Sequence, residues 1–213
     1  VSRLAGVLVI VGVVAGLGSV VPVLEEPGYF GRIAANEGRI LMGAGAQLVM
    51  VPACAGFALC LYPVVRGVSE ALSLGFVGFR VIAAGFHFVG VILLPLFLVP
   101  GLDAATVEML RVGRDLVNHV GVIVSLGVAD GFLFFMLYRA KSVPRWLSVW
   151  GLAGAGIAVA ASVLVLFRQV EIVGPAYLGM NAPMAVQSLV LAGWLMVKGH
   201  KTRNPPSGVR RVP

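Results

Sequence analysis

Residues 72–99, LSLGFVGFRVIAAGFHFVGVILLPLFLV, decide the fold. These 28 residues hold two ionisable side chains, Arg80 and His87, and no aspartate, glutamate or lysine. A helix needs about 20 apolar residues, at roughly 1.5 Å each, to cross the hydrocarbon of a bilayer. The stretch is therefore long enough to span a membrane with a tilt, or to reach past it.

Working outward, the other apolar runs lie near 4–24, 40–65, 116–138, 147–167 and 176–197. Of the 213 residues 59% are hydrophobic and 12% charged, with a mean hydropathy of +1.00. A soluble domain of this length exposes far more charge, so the solvent for most of these side chains is lipid. The expected fold is all-α: a polytopic membrane helical bundle of six transmembrane helices. It forms one domain over 1–200, followed by a basic tail over 201–213 that is expected to be flexible. The first run follows a single basic residue, Arg3, and is too long for the core of a signal peptide, so it reads as the first span.

Lysine and arginine orient the bundle. With six spans, one side holds Arg3, the loops at 66–71 and 139–146, and the tail, with ten basic residues in all. The other side holds five: Arg32, Arg39, Arg111, Arg114 and Arg168. The positive-inside rule then places both termini in the cytoplasm of a cell membrane. The net charge of +7 is a topology signature and implies no nucleic-acid partner; membrane lipids are the expected partners. Trp146 and Trp150, beside Arg145, mark a headgroup level, as do Trp194 and Lys198.

Small residues predict close helix contacts. Gly12 and Gly16 make a GxxxG step, and GLAGAGIAVAAS (151–162) lines the fifth run. In a bundle such steps pack helix on helix, and a homodimer is the less common use. Cys54 and Cys60 are six apart on one run, too far and too differently directed to pair. No Cys/His ligand set is present, so neither a metal nor a cofactor is expected.

Four blocks occur in order: ANEGRILMGAGAQL (35–48), LYPVVRGVSEALSLGFVGFRV (61–81), LYRAKSVPRWLSVWGLAGA (137–155) and WLMVKGH (194–200). Together they resemble a bacterial multi-pass membrane family, domain of unknown function 4386, over roughly residues 4–200. PRWLSVWGL and WLMVKG are the most specific parts. The resemblance implies the six-helix fold and brings no activity with it. Its pattern places glutamates where this chain has Ala83 and Ser188, and a small or apolar residue where it has Asp130. The chain reads as a divergent member.

The ionisable groups inside the runs are Arg80, His87, His119 and Asp130. Each costs about 2.5–3.5 kcal/mol or more at mid-membrane, so each needs a partner or a purpose. Arg80 and His87, seven apart, share a helix face, as do His119 and Asp130, eleven apart. The third and fourth helices run antiparallel, which sets Arg80 and Asp130 at one depth and predicts an ion pair. The bland reading is that the pair only pins two helices. The functional reading makes Asp130, His87 and Arg80 catalytic. Gln47, Asn181, Gln187, Ser188 and Phe134 then bind substrate, although Phe132, Phe134 and Phe135 equally suit a lipid-facing surface. His119 and Asn118 lie near an interface, where a structural role is expected.

The leading functional expectation is an intramembrane enzyme for a lipophilic, prenyl- or terpenoid-like molecule. Acid/base chemistry such as protonation-initiated cyclisation or isomerisation would start from Asp130 as general acid, its pKa raised by burial. The alternatives are a small carrier or channel subunit and a non-catalytic partner protein. A carboxylate held ionised by Arg80 is a poor acid, and this tension is where the structure matters most.

Overall fold

A computed structural model describes residues 1–172 and 174–198; the expected tail over 201–213 lies outside the described residues. The protein is helical throughout, with no strand among the described residues. Among the described residues, six helical segments are long and apolar enough to span a membrane. The helices are α1 (Ser2–Gly18), α2 (Glu37–Val65), α3 (Glu70–Leu96), α4 (Ala104–Leu116), α5 (Ile123–Ala140), α6 (Arg145–Leu166) and α7 (Pro175–Val197). A π-helical turn, Val117–Val122, joins α4 to α5 into one continuous helical segment over 104–140.

Local chemistry sets the helix starts. Ser69 caps α3, its Oγ accepting the Leu72 N–H at 3.4 Å. Asp103 caps α4, accepting the Thr106 N–H at 2.7 Å, and that backbone bond holds its carboxyl below the usual range. Pro144 precedes α6, and Pro175 opens α7, where its missing N–H costs nothing.

Two boundaries differ from those expected. The first span ends at Gly18 instead of Leu24, and residues 19–36 fold into short 3-10 turns, the first opened by Pro22. The fourth segment begins at Ala104, not near 116. Charges at 103–115 end the apolar run but not the helix: α4 is amphipathic, with Val107 buried and Met109 exposed.

Each span packs against its neighbours in sequence, and α7 closes on α1, giving a ring in the order α1, α2, α3, α5, α6, α7. The outside of the ring is apolar: Leu17, Leu59, Val81, Val149 and Val186 are all exposed, as lipid contact requires. At the end distant from the amino terminus, the 19–36 segment folds over α3 and α4. Leu24, Ile40, Leu94, Phe97 and Val107 form a small second core there. An ionic lattice fastens it. The Tyr29 hydroxyl donates to Glu108 at 2.5 Å, Arg111 bridges Glu108 and Asp115, and buried Arg114 reaches Glu25 at 3.2 Å. Burial, and then the Glu108 carboxylate, push the Tyr29 phenol above its usual pKa.

At the opposite end α1 and α7 meet closely. A Cβ placed on Gly6 would sit 2.6 Å from Met196 Cγ and 2.8 Å from the Ala192 carbonyl oxygen. The second contact is backbone and cannot swing away. Gly6→Ala should therefore destabilise the detergent-extracted protein by about 1–3 kcal/mol. Gly85, with no atom within 4 Å of its Cβ position, should tolerate alanine or gain up to about 1 kcal/mol. Thermal unfolding of the two variants in one detergent checks the contrast; equal melting temperatures would mean that the α1–α7 contact is looser than described.

Candidate functional site

A ring of six helices leaves its axis unfilled. Here the axis is a cavity of about 430 Å³, and all six spans line it. Its surface is mainly apolar, contributed by residues such as Val13, Leu126, Leu133 and Leu191. The polar groups are few and converge: Arg80, His87 and Asp130 from α3 and α5, Cys54 from α2, and Asn181 and Ser188 from α7. An apolar pocket with a small number of convergent polar groups is the general form of a small-molecule site.

The ion pair expected between α3 and α5 is present, with Arg80 Nη2 donating to Asp130 Oδ1. Arg80 lies ten residues from the start of α3 and Asp130 ten from the end of α5, so each is roughly 15 Å along its helix. Asp130 is buried, and the Arg80 guanidinium lies over the Phe57 ring at 4.6 Å and within 5.9 Å of Phe76. Those two rings meet edge to face at 6.1 Å. The guanidinium thus has a carboxylate on one side and two π faces on others, so a cation is held with little water. Its Nε is buried without an acceptor among the described residues. Cys54 fastens the same turn, its thiol donating to the Arg80 carbonyl at 3.3 Å.

His87 is different. It is 6% exposed, lines the cavity two helical turns from Arg80, and makes no hydrogen bond among the described residues. A buried imidazole with nothing to bond is rare unless a ligand or water completes it. On the far wall, Asn181 Nδ2 donates to the Tyr177 carbonyl at 2.9 Å, and Ser188 Oγ to the Met184 carbonyl at 2.9 Å. Each bond uses one donor hydrogen on its own helix, which leaves the second Asn181 N–H and the oxygen lone pairs of both residues for a ligand.

Six of the eight residues expected from sequence therefore lie around one space: Asp130, His87, Arg80, Asn181, Ser188 and Phe134. Phe134 is buried, its ring seated where a Cβ on Gly151 would come within 2.5 Å, while Phe135 faces outward. Gln47 and Gln187 do not line the cavity. Gln47 Nε2 donates to Asn118 Oδ1 at 3.2 Å, in a niche that Gly90 leaves open by lacking a side chain. Gln187 Nε2 donates to the Leu147 carbonyl at 3.3 Å, binding α7 to α6. The sequence puts both inside apolar runs but does not tell which side of each helix faces the axis. Cys54 and Phe57 were missed; their one signal was position, three apart on a helix that must face Arg80.

The π-helical turn explains two more polar groups. Its wide turn presents Asn118 to Gln47 and His119 to Tyr177, whose hydroxyl lies 2.9 Å from His119 Nδ1. Both bonds tie the fourth segment to other spans, as a structural role requires.

The model of the family described as Domain of unknown function (DUF4386) matches residues 4–199. The chain belongs to that family. No curated protein and no solved structure matches it. In this DUF4386 member the two positions at which the resemblance implied glutamates diverge in setting. Ala83 is fully buried between α2 and α3 beside Cys54, whereas Ser188 is on the cavity. The acid of the cavity is Asp130 instead.

Removing one partner of a buried ion pair strands the other and costs about 3–5 kcal/mol, while replacing both with apolar residues can be neutral. Arg80→Leu and Asp130→Leu should each lower the unfolding temperature strongly, and the double variant should recover most of the loss. A double variant as unstable as the worse single would mean that the two charges are not coupled.

Proposed function

We propose that the chain is an intramembrane enzyme that isomerises a lipophilic, prenyl- or terpenoid-like molecule by moving a proton within the central cavity. The observation that carries this reading is the composition of the cavity: an apolar chamber lined by one buried imidazole with no hydrogen bond among the described residues and by one ion-paired carboxylate. Its volume is roughly three times that of a cavity holding one benzene, room for roughly 15–20 carbons.

The ion pair selects among proton chemistries. A guanidinium beside Asp130 favours the carboxylate, which accepts protons, so protonation-initiated cyclisation from a protonated Asp130 fits poorly. Isomerisation fits well. Asp130 takes a proton from the carbon next to a carbonyl, the Arg80 guanidinium bonds the oxygen as it gains charge, and Asp130 returns the proton to another carbon of the conjugated system. No oxidant or second substrate is needed. Phe57 and Phe134 complete a water-poor wall in which these charges act strongly.

A non-enzymatic carrier of the same class of molecule is the second reading, favoured by the partial exposure of the α1 and α7 lining. Deuterium uptake separates the two. In D2O, wild-type protein in nanodiscs should exchange deuterium into the α-carbon of a C15–C20 isoprenoid ketone. Asp130→Asn should abolish the exchange, at least ~100-fold as for loss of a general base, while the probe still binds. His87→Ala should lower it less. Exchange undiminished in a folded Asp130→Asn protein would end the enzyme reading.

Both termini belong, on this proposal, in the cytoplasm of a cell membrane, as the loop charges direct. A reporter after Pro213 or at Lys141 should read cytoplasmic, and one at Glu26 the opposite side. A non-cytoplasmic signal from Pro213 would overturn that orientation.

A further inference from the structure

The wall of the ring is uneven. Near the amino terminus α1 and α7 are in contact through Gly6 and the Ala192–Met196 turn. Farther along, the Cβ position of Gly12 has one neighbour within 4 Å, Ala53, and that of Gly16 has one, Met50. Both neighbours are on α2; neither is on α7. At that level α7 holds instead to α6, where a Cβ placed on Gly154 would sit 3.4 Å from Met184 Cα. Beyond the Gly6 contact, the cavity lining from α1 (Gly12, Val13, Gly16) and from α7 (Asn181, Ala185, Ser188) is partly or fully exposed, which marks a gap between the two helices that close the ring.

Three features coincide with the gap. Its edges, Gly12 and Gly16 on one side and Asn181 and Ala185 on the other, line the cavity. Ala185 is exposed while it lines the cavity, whereas the lining from α6 is buried. Pro183 lies between Asn181 and Ala185 and has no N–H to donate to Gly179, which frees α7 to lean away at this height. The GxxxG step lies against Ala53 and Met50 of α2, the helix-on-helix contact its spacing predicts, and it puts no side chain into the cavity beside the gap. Behind it stands His87, more than nine-tenths buried, facing the cavity without a hydrogen-bond partner.

We propose that the α1–α7 gap is a lateral portal through which the isoprenoid chain of the substrate passes from the bilayer hydrocarbon into the cavity. The proposal rests on the reading of the cavity as a lipophile site. Glycine on α1 and alanine on α7 give the portal smooth edges without polar groups, suited to an alkyl or isoprenoid chain and not to a charged headgroup. Asn181, at the lip, is placed to meet a single hydroxyl or carbonyl as it enters. The portal opens in the half of the membrane toward which α1 runs, because Gly6 closes the other half.

The test pins the portal shut. In a Cys54→Ser/Cys60→Ser background, Gly12→Cys and Ala185→Cys are joined by a short, reducible bis-thiosulfonate reagent in phosphatidylcholine nanodiscs. The probe is farnesol carrying a diazirine. Before linking, illumination should label peptides of α5 around Asp130. Linking first should reduce that labelling several-fold, and a reductant should restore it. Probe loaded before linking should stay bound through washing, which separates a closed door from a collapsed cavity. Gly16→Cys with Asn181→Cys serves as a second pair if the first elutes as aggregate. Equal labelling of linked and unlinked protein, or free loss of preloaded probe from linked protein, would overturn the portal. Absence of α5 labelling in the well-folded, unlinked protein would instead overturn the lipophile site itself. Efficient competition by excess dioleoylphosphatidylcholine, but not by farnesol, would show the cavity to be a phospholipid-tail site and would refute the proposed occupant.

Discussion

A charge cannot stay alone in hydrocarbon, and this constraint organises the molecule. Arg80 and Asp130 each sit about 15 Å along their helices, at a depth where an unpaired charge is costly. Their contact fixes the rotation and register of α3 against α5, and Phe57 brings α2 to the same guanidinium. Once these three helices are set, the connections to α1, α6 and α7 leave few ways to close the bundle. The ring is the arrangement that keeps both charges inside and the apolar residues outside.

Closing six helices into a ring leaves an axial space that the side chains do not fill. On the proposed reading this space of about 430 Å³ is filled by a lipophile, the occupant that a membrane supplies in abundance. The polar groups then have a clear division of labour. Arg80 and Asp130 neutralise each other, and His87, which lines the same cavity, has no hydrogen-bond partner among the described residues.

The number of spans and the ion pair were legible in the sequence because both follow from transfer energies that are large and local. Twenty apolar residues have one use, and two opposite charges at one depth have one way to become cheap. What the sequence concealed depends on direction and distance. Gln47 and Gln187 are buried as deeply as a site residue, yet one faces Gly90 and Asn118 and the other Leu147. Gly12 and Gly16 read as a packing motif and do lie against α2 at Ala53 and Met50, but the tightest glycine contact of α1 is at Gly6, where α7 meets it. The extension of the fourth helix back to Ala104 was written in the sequence as Asp103 followed by Thr106, a capping signal hidden by the search for apolar runs. The π-helical turn had no such signal, since its six residues would fit an ordinary helix equally well.

The central claim is that the axial cavity holds a lipophile of limited size. Native mass spectrometry of protein extracted directly from its membrane tests this without knowledge of the reaction. Wild-type protein should carry a bound lipophilic molecule in the C15–C20 range, released on collisional activation. Ala158→Phe, which puts a ring into the cavity from α6, should elute as a folded species and carry none. Bare wild-type protein, or equal occupancy in the filled variant, would contradict the account.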